Sequence, residues 1–142
     1  MILDEIVADK REQLFRDKQK TDLTVMRTLA EEKLREEAAK KEKIRSFYQN
    51  LAKDGLSIIG EFKNASPSLG KIESRITLEE RMEDYTASVD AVSCLTEEKH
   101  FLGNTDYFRK VRNLTPLPML RKDFMIDISF MKQKPLMQMQ YY

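Results

Sequence analysis

The sequence has few residues of several kinds, and each scarcity excludes a class of protein. Of its 142 residues, only Cys94 is a cysteine, so neither an internal disulfide nor a cysteine-cluster metal site can form. Lys and Arg (25) barely outnumber Asp and Glu (24), which leaves a net charge of +1. Because broad binding to nucleic acid or to anionic membranes needs a basic excess, we expect neither partner.

The sequence also lacks the segments that carry proteins into or across membranes. No apolar run approaches the ~18 residues of a membrane-spanning helix. Asp4 and Glu5 stand where a signal peptide has positive charge, and no apolar segment follows them. With 41% hydrophobic residues and the length of about one domain, the chain is predicted to be a soluble cytoplasmic protein with its own core.

Glycine and proline are absent from residues 2–53, which predicts an N-terminal helical extension. Apolar residues recur in it at helical spacing, and the polar stretch 18–21 indicates a turn. Asp22 or Thr24 is then expected to cap a second helix that continues to Leu51. Charges of both signs alternate along this second helix at i, i+4 spacing, which is typical of a solvated helix face.

Beyond Gly55 the pattern changes to alternating strand and helix signals. Thr77 and Glu80 form a capping-box motif that opens a helix. The predicted order is strand 56–63, helix 77–88, strand 90–95, helix 105–113 and strand 117–122. Because strands separated by helices pair in parallel through crossover connections, an α/β architecture is expected.

Strand alternation places the informative residues on one face of this sheet. That face carries Glu61, Lys63, Ser93, Leu95, Lys122 and Phe124. Ligands bind at the carboxyl ends of parallel strands, where a carboxylate and two ammonium groups can transfer protons and hold an anionic substrate. The alternative is an ion-pair network that only stabilises the strand ends. Cys94 faces the other way, which predicts a small buried residue.

Four segments together carry a family resemblance. They are ILDEIVADKREQL (2–14), DGLSIIGEFKNASPSLG (54–70), DAVSCLTEEKHFLG (90–103) and LPMLRKDFMID (117–127). In this order they resemble the indole-3-glycerol-phosphate synthase family of tryptophan biosynthesis. The combination of EFK-x-x-SPS, LTEE-x-x-F-x-G and RKDF is specific, whereas each motif alone would be a weak signal.

The resemblance implies a fold and a reaction. The family is a (β/α)8 TIM barrel with an N-terminal helical extension, and it needs no metal or organic cofactor. It converts 1-(2-carboxyphenylamino)-1-deoxyribulose 5-phosphate to indole-3-glycerol phosphate with loss of carbon dioxide and water. The chain is therefore expected to be a carboxy-lyase that acts on a small phosphorylated molecule.

The resemblance also implies roles for individual residues. Lys122 is the expected general acid, Glu61 a catalytic carboxylate, and Lys63 the contact to the substrate carboxylate. The expected substrate-binding residues are Ser66, Ser93, Leu95, Phe101 and Phe124. Judged by residue type alone, Ser66 is also compatible with a simple turn, and the two phenylalanines with an ordinary core.

The resemblance stops after Asp127. Reading the codons for residues 130–142 from their third bases permits Tyr-Glu-Ala-Lys-Ala-Ile-Asp-Ala-Asp-Ala-Ile-Leu, which is similar to the helix and strand that should follow in the family. We therefore expect residues 1–53 to be the helical extension, 54–127 the first three β/α units of an incomplete barrel, and 128–142 an out-of-frame tail.

A chain with three barrel strands lacks the site elements that the family carries later. These are a second glutamate, an asparagine, and the phosphate-binding loops after strands seven and eight. Because a barrel usually needs ~200 residues or more, little or no synthase activity is expected of this chain alone. Its open sheet edges favour self-association. Two alternatives remain, another phosphate-binding TIM-barrel enzyme and a helical interaction module built on residues 22–53.

Overall fold

A computed structural model of the chain describes residues 1–40, 45–124 and 126. These residues form two compact units. The first contains the N-terminal helices together with Phe124 and Ile126, and the second contains residues 45–123. The predicted out-of-frame tail, residues 128–142, lies outside the described residues. No helix in the described part of the chain is both long enough and apolar enough to cross a membrane.

The first unit contains two long helices, α1 (Ile2–Lys20) and α2 (Leu23–Lys40). The break between them is shorter than predicted, because α1 continues through most of the polar stretch. Of the two predicted caps for α2, Asp22 is the one used. Its Oδ1 accepts hydrogen bonds from the backbone N–H groups of Thr24 (2.7 Å) and Val25 (3.0 Å), which satisfies donors that the first helical turn leaves unpaired.

The second unit opens with a short helix, α3 (Phe47–Leu51). The prediction of a single helix from residue 22 to Leu51 was wrong, because Ser46 is extended and starts a new helix. The Oγ of Ser46 accepts a hydrogen bond from the N–H of Gln49 at 3.1 Å. A serine in this position is a strong N-cap, and its own extended backbone is incompatible with a continuous helix.

The rest of the second unit alternates strands and helices. In chain order they are β1 (Ile59–Phe62), β2 (Ala65–Ser66), β3 (Gly70–Lys71), α4 (Leu78–Ser88), β4 (Ala91–Leu95), α5 (Thr105–Leu114) and β5 (Met119–Lys122). Strands β1, β4 and β5 form a parallel sheet in the order β1-β4-β5. The expected α/β architecture with parallel strands is confirmed. The antiparallel pair β2-β3 occupies a segment that was predicted to be only a loop.

The core of the second unit lies around the central strand. Every residue of β4 is buried, and Met82 of α4 and Phe108 and Val111 of α5 are also buried. The capping box that opens α4 is present, since Thr77 and Glu80 exchange side-chain to backbone hydrogen bonds. These bonds to Thr77 hold the pKa of the Glu80 carboxyl below its ordinary value, as expected for a carboxylate that accepts from a helix N-terminus.

Asp90 connects the start of β1 to the segment after α3. Its carboxylate accepts hydrogen bonds from Lys53 Nζ at 2.5 Å and from the N–H of Ile58 at 2.9 Å. These partners, Lys53 first, hold the pKa of Asp90 below its ordinary value. A lowered folded-state pKa means that this contribution to stability is present at neutral pH and is lost as the pH falls into the acidic range.

Cys94 gives a direct test of the sheet. Its side chain is fully buried, and burial raises the pKa of the thiol to about 12. Because the thiolate is the reactive form, a thiol reagent at pH ~8 is expected to label Cys94 only when the chain unfolds. The control is Ser88→Cys, which adds an exposed thiol on α4. Equal labelling rates at the two positions in the native chain would contradict the buried sheet.

Candidate functional site

Three charged side chains lie at the carboxyl ends of the outer strands, where two lysines contact one glutamate. Lys122 Nζ donates a hydrogen bond to Glu61 Oε2 at 2.7 Å. Lys63 Nζ lies 3.5 Å from the other carboxylate oxygen, Oε1. One carboxylate thus lies between two ammonium groups, and we call these three residues the charged cluster.

The register of the parallel sheet explains why these residues meet. Glu61 on β1 is opposite Ser93 on β4, and Lys122 on β5 is opposite Leu95. Successive side chains alternate between the two faces of a strand, so all four side chains lie on one face of the sheet. Ser93 and Leu95 are small or compact and buried. The long side chains from β1 and β5 therefore meet above the central strand.

The charged cluster is open to solvent and has an excess of positive charge. The exposed fractions of the side chains are 33% for Glu61, 37% for Lys63 and 53% for Lys122. Ion pairs this exposed contribute about 0–1 kcal/mol to folding stability. The fold therefore gains little from the cluster. Its two cations and one carboxylate suit the binding of an anion and the transfer of a proton.

Ser93 brings a further polar atom to this face of the sheet. Its Oγ is buried and has no hydrogen-bond partner among the described residues. A buried polar atom without a partner is costly in a native fold. The Ser93 hydroxyl is therefore a candidate hydrogen-bonding group on this face of the sheet.

Ser66 lies in the hairpin after β1, where it is buried. Its Oγ accepts a hydrogen bond from the N–H of Leu69 at 3.2 Å and lies 3.4 Å from the Oγ of Ser68. In this structure the Ser66 hydroxyl thus stabilises the turn between β2 and β3. Its predicted contact with substrate stays a prediction.

Phe101 lies in the loop that follows β4, and Glu97 organises this loop. The buried carboxylate of Glu97 accepts hydrogen bonds from three successive backbone N–H groups, those of Lys99, His100 and Phe101, at 2.7–3.0 Å. Gly103 closes the loop so tightly that a Cβ there would lie 2.3 Å from the carbonyl oxygen of Leu95. The position of Phe101 is therefore fixed by Glu97, which belongs to the LTEE-x-x-F-x-G motif but for which the sequence predicted no role.

Tyr85 is a second residue that the sequence analysis missed. Its hydroxyl, on α4, donates a hydrogen bond to the carbonyl oxygen of Glu61 at 2.8 Å. Its ring packs where Gly60 has no side chain, and a Cβ at Gly60 would lie 2.9 Å from the ring. The backbone of β1 is thereby held against α4 at the position of the charged cluster. A glycine next to Glu61 was the available signal.

The other predicted aromatic residue, Phe124, groups with the first unit, and its predicted contact with substrate stays a prediction.

A cavity of about 150 Å³ lies beside Phe62, on the face of β1 opposite Glu61, and Tyr107 also lines it. The two rings stack with centroids 6.0 Å apart. Lys63 is shared between this cavity and the charged cluster.

Within residues 1–40, 45–124 and 126, His, Cys, Asp and Glu side chains nowhere form a group of three or more that could hold a metal ion. The charged cluster contains one carboxylate and two ammonium groups, and ammonium groups do not ligate metals. Acid–base and electrostatic chemistry is therefore what these side chains themselves can supply.

Comparison with known proteins gives a consistent match. The family model for indole-3-glycerol phosphate synthase matches residues 3–139. A protein of that name from Lachnospira eligens is 49% identical over 128 residues, which is 89% of this chain and 45% of the relative. The one from Clostridium acetobutylicum is 41% identical over 128 residues, or 89% of this chain and 46% of the relative. The chain thus spans about half the length of the curated relatives it matches.

Proposed function

The chain belongs to the indole-3-glycerol phosphate synthase family, and from this we propose that its second unit carries the first part of a synthase site. The proposed reaction closes the indole ring of 1-(2-carboxyphenylamino)-1-deoxyribulose 5-phosphate. The aromatic carbon that bears the carboxylate attacks the ketone, carbon dioxide leaves, and loss of water completes the ring. The product is indole-3-glycerol phosphate.

The observation that carries this proposal is the position of the Glu61 carboxylate between two ammonium groups. In the proposed reaction Lys122 donates a proton to the ketone oxygen as the aromatic carbon attacks the carbonyl carbon of the ketone. Glu61 contacts Lys122 through one hydrogen bond and is placed to exchange a proton with it. Lys63 contacts the carboxylate of the substrate, and an ammonium group in this position matches that negative charge.

The neighbouring residues are proposed to bind the substrate. The unpartnered Ser93 hydroxyl gives the open face a hydrogen-bonding group, and Leu95 provides apolar surface beside it. Phe101 lies in the loop that Glu97 holds in place. Ser66 completes the proposed set within the second unit, and the substrate contact of Phe124 stays a prediction from the resemblance.

The experiment that tests this function uses a completed chain. It consists of residues 1–124 followed by the remainder of the Lachnospira eligens relative, beginning at the position equivalent to residue 125. We expect the completed chain to convert the carboxyphenylamino substrate to indole-3-glycerol phosphate in a steady-state assay. A folded completed chain without this activity would refute the proposal.

We further propose that residues 128–142 are translated out of frame and that the 142-residue chain alone has little or no synthase activity. The family model's match continues to residue 139, beyond Asp127, where the motif resemblance ends. The nucleotide sequence tests the reading frame directly. A shift is expected near codons 124–130. An undisturbed frame through codon 127 and beyond would refute it.

The cytoplasm is the proposed compartment, because a chain with one cysteine depends on no internal disulfide.

Self-association through the sheet edges is the proposed behaviour of the 142-residue chain. In the described part of the chain, β1 and β5 each pair on one side only. Ile59, the first residue of β1, is 45% exposed, and Ile58 just before it is 44% exposed. Unpaired strand edges with apolar side chains promote association. Sedimentation analysis is expected to show a mass that rises with concentration. The completed chain, in which both edges are paired, is the control, and a monomer at all concentrations would contradict the proposal.

A further inference from the structure

Thr96 is the first residue after β4, and its backbone holds the backbone of Lys122. It is 2% exposed, and its N–H donates a hydrogen bond to the carbonyl oxygen of Lys122 at 2.9 Å. This bond lies where β5 ends. It therefore restrains the peptide unit that immediately follows the Lys122 side chain.

The hydroxyl of Thr96 connects the two residues that flank Lys122. Arg121 Nε donates to Thr96 Oγ1 at 2.9 Å, and Thr96 Oγ1 lies 3.0 Å from Asp123 Oδ2. Because a guanidinium only donates, the hydroxyl accepts from Arg121. Its own proton has two acceptors in reach, the Asp123 carboxylate and, more distant at 3.4 Å, the carbonyl oxygen of Lys122. Asp123 Oδ2 also lies 3.6 Å from Arg121 Nη2, and the exposed fractions of these two charged side chains are 2% for Asp123 and 7% for Arg121.

Arg121 and Asp123 act on Lys122 through the main chain. Alternation along the strand turns their side chains to the face opposite Lys122, so the buried pair is on the other side of the sheet from the charged cluster. With both neighbours and the carbonyl of residue 122 held by Thr96, the direction in which the Lys122 side chain leaves the strand is set. The Lys122 side chain is 53% exposed. Beyond this restraint on its backbone, its ammonium group is held by the hydrogen bond to Glu61.

The geometry points to Thr96 as a positioning residue that holds Lys122 opposite Glu61. This inference rests on the proposed function for the catalytic meaning of Lys122, and on the described contacts for the placement itself. The contacts of Thr96 are with Arg121, Asp123 and the backbone of Lys122 and not with the ammonium group of Lys122, so it acts on that group through them.

The test uses the 142-residue chain with isotope-labelled lysine, observed by NMR at the side-chain Cε. The Lys63→Arg and Lys122→Arg variants identify the two signals. Both lysines contact Glu61, so Glu61→Gln is expected to shift both signals in the otherwise unchanged chain. In the Thr96→Val background, the response of Lys122 to Glu61→Gln is expected to be lost, while Lys63 keeps its response. Thr96→Ser, which retains the hydroxyl, is expected to preserve both.

Lys63 separates positioning from general damage, because it reaches Glu61 from β1 without the help of β5. If Thr96→Val leaves the Lys122 response intact, Thr96 does not position it, and the inference is overturned. Loss of both responses would show that Thr96 supports the sheet as a whole, which also overturns it. If the Lys122 signal also stops responding to Glu61→Gln in the Thr96→Ser background, the hydroxyl of Thr96 is not what positions Lys122, and the inference is overturned.

A kinetic measurement distinguishes this inference from the proposed function. In the completed chain, Thr96→Val is expected to lower kcat on the order of 100-fold with little change in KM, as for a misplaced catalytic group, and Thr96→Ser is expected to restore it. If the completed chain is inactive but the NMR signals behave as expected, the proposed function is refuted and the positioning of Lys122 by Thr96 stands. An active completed chain whose kcat is insensitive to Thr96→Val would refute the positioning alone.

Discussion

The 142-residue chain, supplied with 1-(2-carboxyphenylamino)-1-deoxyribulose 5-phosphate, is expected to form no indole-3-glycerol phosphate above background. In the proposed function the charged cluster binds the substrate carboxylate, but the phosphate-binding loops that the family resemblance implies belong to barrel units beyond the part that the chain matches. Binding energy from a remote phosphate normally supports catalysis at the reacting carbon. Each tenfold loss of rate corresponds to about 1.4 kcal/mol of binding energy in the transition state. Losing about 6 kcal/mol of binding energy from the phosphate therefore lowers turnover by about four orders of magnitude.

The control for this result is the completed chain at the same concentration, with both proteins shown to be folded by the protection of Cys94 from a thiol reagent. The protection matters because an unfolded chain would be inactive for a different reason. Turnover by the 142-residue chain within about tenfold of the completed chain would contradict the expectation. It would mean that the 142-residue chain alone binds and converts the substrate.

Replacing Lys122 is the second change with a large expected effect. In the completed chain, Lys122→Met removes the proposed proton donor while keeping a long apolar side chain, and kcat is expected to fall by about 10²- to 10⁴-fold. The free energy of unfolding is expected to change by about 1 kcal/mol or less, because the lost ion pair is solvent-exposed. Steady-state kinetics and denaturant unfolding measure the two quantities on the same variant.

The matched control is Lys71→Met, because Lys71 is an exposed lysine on β3 with no part in the proposed chemistry. It is expected to leave kcat and the free energy of unfolding unchanged. Two outcomes would contradict the assignment of Lys122: a kcat that survives Lys122→Met, and an equal loss of kcat in both variants. An unfolding free energy that falls by several kcal/mol in Lys122→Met would indicate a structural ion pair instead.

Much of the second unit could be predicted because its signals are local. The capping box of Thr77 and Glu80 marks the start of α4, and the run of small and apolar residues 91–95 marks a strand buried on both faces. Alternation then assigns each strand residue to a face. The meeting of Glu61 and Lys122 follows from that alternation once the strands are parallel and adjacent to β4.

Two other features were missed. The partners of Thr96 are distant in sequence, whereas Glu97 binds the backbone of its own loop. Glu97 and Thr96 have the composition of an ordinary polar loop, yet both are 2% exposed. Their burial is possible only because backbone N–H groups surround the carboxylate of Glu97, while Arg121 and Asp123 bind the hydroxyl of Thr96. Pairings of this kind form on folding, and no periodicity in the sequence encodes them.

The break at Ser46 was missed for a different reason. Serine is compatible with a solvated helix face as well as with a cap, and the apolar residues on either side continue at helical spacing. The interactions that decide the outcome are distant in sequence, because the guanidinium of Arg45 donates to the carbonyl oxygen of Thr115 at 2.7 Å. Extended backbone at this point, with Ser46 as the new N-cap, places Arg45 at the end of α5.

The central claim is that the charged cluster on β1 and β5 is part of a synthase site that needs the remaining barrel units. The most direct test is to measure indole-3-glycerol phosphate formation by the completed chain, its Lys122→Met variant and the 142-residue chain, side by side in one steady-state assay. Full turnover is predicted for the completed chain alone, with kcat about 10²- to 10⁴-fold lower in the Lys122→Met variant and no product above background from the 142-residue chain. Turnover by the Lys122→Met variant at the rate of the completed chain, or no turnover by any of the three folded proteins, would contradict the claim.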